Sequence, residues 1–484
     1  MTDFSAHSDR DGYFAPTRFE ADVYDCEVKG EIPPGIDGAF YRLHPNWLYP
    51  PAAGDTNIAA DGYISMLRIR GGRADYKGRY VRTQRFEAQR KAGRNLYGGY
   101  RNPFTDDPSV RDPERPHLRS TANTTPVVFG GVLYATKEDG LPHVMDPNTL
   151  ATIGPTDFGG QWESQTFTAH PKFDPNSREL VTLGYEASGP ASRDVLLASI
   201  GEDASVRNPI RFNVPYTTML HDMAITTEHV VVPSGGTVTS LERLKAGKLH
   251  WAWDSALPFY FAVIPRKGKA ADIRWFKGPQ RSVVHVANAY TQGTRVILDA
   301  PVADSNMWPD FEDVQGTKFF QPPYTLRRFT FDLASDGSGF TEEVLLQQPI
   351  TSFTVVDGRF TGRQHRFIFS PFFDAARPNS GSHPQQRYAA NSIGRFDTRT
   401  AELAVFQGGA SEMLQEPSFI PRAPDSDEGD GWLIFTAHDP ARMRACIVLA
   451  DAVTLREVAR VILPFRNPTQ FHGTWADRDE LPMN

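Results

Sequence analysis

Short strand-like runs, each closed by a glycine or proline turn, recur along the whole chain, and this rhythm restricts the folds open to it. Runs such as Tyr63 to Ile69, Ala74 to Val81, Val127 to Thr136, Glu179 to Tyr185, Leu326 to Asp332 and Gly431 to Ala437 are apolar or alternating, as half-buried or buried strands are. Turns such as Arg70-Gly71-Gly72, Asp146-Pro147-Asn148 and Ser335-Asp336-Gly337 separate them. Helical patterns are scarce, the better ones being Phe86 to Ala92 and Ser240 to Lys245. The fold class is therefore all-β. About fourteen such runs exceed one sandwich, and a β-propeller seats many short strands around an axis. No 40-residue sequence repeat stands out, which leaves a double sandwich as the competing architecture. With 38 prolines and 39 glycines spread evenly and no low-complexity linker, residues 1–484 read as a single domain.

Composition excludes several functions. A net charge of -7 disfavours a nucleic-acid surface. The longest apolar run, Leu257 to Ile264, contains Pro258 and falls far short of the ~20 residues of a membrane-spanning helix. Two cysteines without a CxxC make neither a disulfide framework nor a thiolate metal site. Residues Met1 to Phe19 lack the apolar stretch of a signal peptide. A soluble, cytoplasmic protein is expected.

Four histidines sit in apolar strings: His170 in Phe-Thr-Ala-His-Pro, His221 in Met-Leu-His-Asp-Met, His285 in Val-Val-His-Val-Ala and His472 in Gln-Phe-His-Gly-Thr-Trp. Each alone is more often a hydrogen-bonded core histidine than a ligand. Nothing resembles an HExxH helix, so any shared site must be built from separate strands or loops, as a propeller axis would permit. Four neutral imidazoles suit Fe, Cu, Ni or Zn, with the second N–H of each donated to an outer acceptor. Asp222 adjoins His221, but adjacent side chains rarely face each other, so a distant glutamate is the expected partner. The long loops 101–116 and 303–323 have the length of functional lids, which makes Trp308 a candidate lining residue.

In chain order, Phe167-Thr168-Ala169-His170-Pro171-Lys172, His221-Asp222, His285-Val286-Ala287-Asn288-Ala289-Tyr290 and Phe471-His472-Gly473-Thr474-Trp475 resemble the four ligand motifs of the carotenoid cleavage oxygenase family. Gly30-Glu31-Ile32-Pro33-Pro34-Gly35, Lys137-Glu138-Asp139-Gly140 and Gln415-Glu416-Pro417-Ser418-Phe419 support the resemblance. Arg90 to Pro103 and Lys137-Glu138 point to its bacterial lignostilbene dioxygenase branch. The resemblance implies a seven-bladed β-propeller with loops and short helices capping one face. It implies Fe(II) held by His170, His221, His285 and His472, and a substrate tunnel. Tyr100 and Lys137 would grip the phenolic hydroxyl of the substrate. Glu138 and Glu416 would each orient a ligand histidine. Ser352 stands where the family has a third glutamate, leaving one ligand, expected to be His285, without a carboxylate. Ile58 replaces a phenylalanine that packs on the stilbene, and Tyr63 adds bulk beside it.

The implied function is cleavage by O₂ of the central C=C of a 4-hydroxystilbene-type, lignin-derived aromatic to two aldehydes. The alternatives are a lyase of the same fold that releases formaldehyde from a phenolic lignin dimer to give a stilbene, a propeller that only binds an aromatic ligand or a protein, and an apocarotenoid-cleaving enzyme. A homodimer is compatible with this reading.

Overall fold

The computed structural model describes residues 4, 10–308, 310–318, 323–379 and 389–482. Residues 309 and 319–322, within the second long loop, lie outside them. Seven antiparallel sheets form a seven-bladed propeller, and an eighth, two-stranded sheet (Thr237–Val238 with Ala252–Trp253) is separate from them. The double sandwich is thereby set aside. The blades are short strands in sequential order, such as Thr125–Phe129, Val132–Thr136, His143–Met145 and Thr152–Pro155 in the second blade.

The ring closes twice. The C-terminal strand Gly473–Asp477 pairs with Gly38–Pro45 as the leading strand of the first blade, in register from Gly38 opposite Asp477 to Arg42 opposite Gly473. The N-terminal strand Glu27–Gly30 pairs with Arg456–Ile462 on the far edge of the last blade. Each seam between neighbouring blades holds its own apolar cluster. One example is Phe40, Leu67 and Tyr76 of the first blade against Ile434, Leu449 and Val461 of the last. Another is Phe261, Val263 and Phe276 of the fourth against Val296, Leu298 and Phe329 of the fifth. Burying each such side chain contributes about 1.5–3 kcal/mol.

Antiparallel pairing also decides where the loops go. Leading strands of neighbouring blades meet near the axis, as Gly473–Asp477 does with Thr125–Phe129 on one side and Ser418–Pro421 on the other. The connection after the second strand of a blade, and the one after its last, return to the face where the leading strand begins. Those include the long connections 46–61, 81–124 and 235–258 and the described residues of 303–323. They carry the helices Gln84–Ala92 and Leu241–Lys245, close to the sequence expectation, with Thr83 and Ser240 as N-caps. One face of the propeller is thereby capped.

Buried histidines away from the axis make the fold acid-sensitive. His44 is held neutral between the Pro468 carbonyl at 3.1 Å and Ser65 Oγ at 2.8 Å. His438 contacts the Tyr13 hydroxyl at 2.7 Å. Burial and the nearby Arg42 push both imidazoles down to about 3. With folded values below the unfolded ~6.5, stability is unaffected above that pH and falls as the unfolded chain takes up protons below it. Linkage gives a loss of about 2 kcal/mol per histidine by pH 5. The thermal midpoint should drop between pH 7 and pH 5, and His438→Gln should lessen the drop. An equal drop in the variant would refute the assignment.

Candidate metal centre

All four predicted histidines meet at the propeller axis. Each lies just before a leading strand: His170 before Lys172–Asp174, His221 before Ala224–Ile225, His285 before Asn288–Gln292 and His472 before Gly473–Asp477. Because leading strands start on the same face, residues at their mouths converge there. The donor nitrogens lie within 4.8 Å of one another, and the ring centroids of His170 are 4.4, 4.6 and 4.9 Å from those of His472, His221 and His285.

The three remaining blades supply the outer partners. His221 Nδ1 donates to Glu138 Oε1 at 3.3 Å, and Glu138 follows the second strand of the second blade. His472 Nδ1 donates to Glu416 Oε1 at 2.9 Å, and the other Glu416 oxygen accepts from Gly473 N. Glu416 sits just before Ser418–Pro421, the leading strand of the seventh blade. His285 Nδ1 donates to Ser352 Oγ at 3.1 Å, so the serine occupies the partner position expected for it. His170 Nδ1 lies 3.5 Å from Thr125 Oγ1, a partner the sequence did not suggest. Two of the four histidines are thus backed by carboxylates and two by hydroxyls.

With each Nδ1 turned outward, the Nε2 atoms face inward. His285 Nε2 is buried with no hydrogen-bond partner among the described residues. His170 Nε2 and His221 Nε2 are 3.1 Å apart, about the separation of two nitrogens at right angles on one ion with ~2.1 Å bonds. Burial and the neighbouring histidines hold His170 and His285 well below the ordinary imidazole range, so both are neutral. A cage of four imidazole nitrogens fits a first-row transition ion and not Mg²⁺ or Ca²⁺, which take oxygen ligands. The four side chains are placed to hold such an ion together.

Lys137 and Tyr100 adjoin it. Both are at most 2% exposed. The Tyr100 hydroxyl donates to Glu138 Oε1 at 3.1 Å, so one carboxylate oxygen joins Tyr100 to His221. Lys137 Nζ lies 5.3 Å from the Tyr100 ring centroid and 5.8 Å from that of Phe471. Its one hydrogen bond among the described residues goes to the Ile58 carbonyl at 3.2 Å. Burial lowers the Lys137 ammonium from its ordinary value, against the pull of Glu138 and Asp139. Burial opposes the Glu138 charge too, yet Lys137 and His221 hold its carboxyl well below the usual range. Burial and Glu138 raise the Tyr100 phenol well above its ordinary value.

Trp308 stands edge-on to His221, with centroids 5.9 Å apart, and contacts Phe311, whose ring is parallel to Tyr100. Ile58 and Trp308 pack on the same apolar cluster as Tyr100 and Phe311. Tyr63 does not join them. Opposite residues of an antiparallel pair share a face, and Tyr63 lies opposite His44 and Tyr80. Its ring packs edge-on to both within a separate cluster, with Tyr80 and Phe86. It is a packing residue of the first blade.

The family profile described as retinal pigment epithelial membrane protein (RPE65) matches residues 14–477. The chain belongs to the RPE65/carotenoid cleavage oxygenase family. It is 36% identical to lignostilbene-alpha,beta-dioxygenase isozyme III of Sphingomonas paucimobilis, with 100% of both chains covered. It is also 36% identical to isoeugenol monooxygenase of Pseudomonas putida, covering 97% of this chain and 98% of the relative. Among solved structures, the lignostilbene dioxygenase of Pseudomonas brassicacearum superposes with a TM-score of 0.94 at 36% identity, over 99% of this chain and 100% of that one.

Beyond Thr125, the sequence reading missed Phe353, whose ring packs 5.1 Å from His285 and 5.0 Å from His472, and Phe311. It also missed the clamp behind Tyr100. Arg101 adopts the left-handed region, with φ of 53°, which is costly for a residue with a side chain. Its guanidinium bonds Glu186 and Tyr185, while His250 bridges Glu186 to the Arg101 carbonyl. That closed loop of contacts holds the strained turn beside Tyr100. The serine behind His285 gives a direct prediction. Ser352→Ala should weaken metal affinity by about tenfold, the low end for loss of an outer partner, as read by chelator competition. Unchanged affinity would show that the hydroxyl does not support His285.

Proposed function

We propose that the four-histidine centre holds Fe(II) and that the protein cleaves, with dioxygen, the C=C of 4-hydroxyphenyl alkenes of the stilbene type. One oxygen atom would enter each of two aldehydes. Lys137 carries this reading: a buried ammonium with a single backbone acceptor among the described residues, close to the cage and beside Tyr100. A buried cation with unused N–H donors favours an anionic partner. The phenolate of a 4-hydroxyphenyl alkene supplies one, and its charge delocalises through the ring onto the conjugated C=C. Lignostilbene and isoeugenol, the compounds for which two relatives are named, share that 4-hydroxyphenyl alkene unit.

The residues divide the work. Lys137 donates to the phenolic oxygen and stabilises its negative charge. The Tyr100 proton is committed to Glu138, so Tyr100 holds its ring beside the Lys137 ammonium and leaves that ammonium to answer the phenolate. Trp308, Phe311, Phe353 and Phe471 provide an apolar, aromatic surround beside the cage, which orients the alkene and excludes water. Ile58 offers aliphatic contact in place of ring stacking, a difference of about 0.5–1.5 kcal/mol. Bound Fe(II) supplies the reducing power that activates dioxygen toward the electron-rich alkene.

Oxygen uptake by iron-loaded protein with 4-hydroxystilbenes, giving two aldehydes that each carry one atom from ¹⁸O₂, is the expected result. No uptake with 4-hydroxystilbenes or isoeugenol would overturn the proposal, and turnover without oxygen would point to the lyase. None of the three relatives described is named as a lyase.

A further inference from the structure

Asp222 does not touch His221, as adjacency in the chain suggested, and its contacts lie elsewhere. Its Oδ1 accepts from Met223 N at 2.7 Å and pairs with Lys172 Nζ at 2.7 Å, and its Oδ2 accepts from Val286 N at 2.9 Å. The side chain is 2% exposed. Lys172 opens the leading strand that follows His170, Met223 is two residues beyond His221, and Val286 is next to His285. One carboxylate therefore ties together the three neighbouring blades that carry three of the four histidines. His472 is held differently. Its backbone N–H donates to the Thr124 carbonyl, its carbonyl accepts from Leu43 N, and its side chain bonds Glu416.

We propose that Asp222, with Lys172, is the positioning residue of the metal centre: it makes His170, His221 and His285 a preformed three-histidine unit, to which His472 is added independently. This rests on the four histidines binding a metal and on nothing about the substrate. A buried carboxylate answered by two backbone N–H groups and an ammonium is strong because its bonds are charge-assisted. It is also specific, because both oxygens are engaged by donors from different blades. Asparagine cannot replace it. The amide has one acceptor oxygen, so its NH₂ must face either Val286 N–H or the Met223 N–H and Lys172 pair. Either way at least one donor is left unanswered, and the three histidine loops lose their common anchor.

The test uses the full-length protein loaded with Co(II), whose ligand-field absorption reports coordination geometry without turnover. In Asp222→Asn the Co(II) spectrum should change and affinity in chelator competition should fall about 10–100-fold, as for loss of an outer partner. Lys172→Met keeps both backbone bonds and should cause a smaller loss, about threefold, with the spectrum shifted in the same sense. Parent-like spectrum and affinity in both variants would overturn the proposal. Should Asp222→Asn fail to fold, Lys172→Met decides: an altered spectrum supports the clamp, and a parent-like one refutes it. Stilbene cleavage enters neither measurement, so failure of the proposed activity leaves this result readable.

Discussion

His472→Ala is expected to leave a protein that folds but no longer retains metal through purification, with alkene-cleaving activity reduced far beyond the roughly 10–100-fold that loss of an outer partner costs. Two losses coincide at this position. The cage drops from four donors to three, and Glu416, buried beside Arg42 with a contact of 3.6 Å, loses the imidazole that answers its other side. The Arg42 and Gly473 contacts remain, so the carboxylate is not stranded and the blade persists. The measurement is metal content by elemental analysis together with the thermal midpoint. Full occupancy with one ion per chain would show that three histidines suffice and would remove His472 from the centre.

Lys137→Met should separate chemistry from metal binding. Iron content should equal that of the parent, because the hydrogen bond that holds Lys137 among the described residues goes to the Ile58 carbonyl and not to a histidine. kcat/KM for 4-hydroxystilbene should fall roughly 100- to 1,000-fold, the usual cost of removing one preorganised stabiliser of developing charge. A 4-methoxystilbene, which cannot ionise, should be a poor substrate of parent and variant alike. Stability should hold or rise, since methionine fills a similar volume without burying an ammonium. A uniform fall with both substrates would mean that Lys137 acts on the shape of the site and not on the phenol.

Much of the centre was legible because each ligand lies in a compact local string. His170-Pro171-Lys172 and Phe471-His472-Gly473 mark the sharp entry into a leading strand, and such entries are written in adjacent residues. The all-β character was legible for the same reason, in runs such as Gly431–Asp439 whose nine residues are all buried. What escaped depends on distance. Lys172–Asp174 and Ala224–Ile225 are too short to show a period. Thr125 looks like any strand start. Asp222 was judged by its neighbour, whereas its partners lie on two other blades. Tyr63 failed because a strand position chooses its face by register, and the register put it opposite His44.

The double closure of the ring has a consequence for how the protein is made and lost. During synthesis His170, His221 and His285 emerge well before the strand Gly473–Asp477 that both latches the first blade and brings the fourth ligand. Until that strand arrives the centre is incomplete and the ring is open at the same seam. A chain clipped anywhere before residue 472 loses the latch and the ligand in one cut. Damage at this end therefore leaves no closed propeller with a three-ligand, leaky metal on its axis.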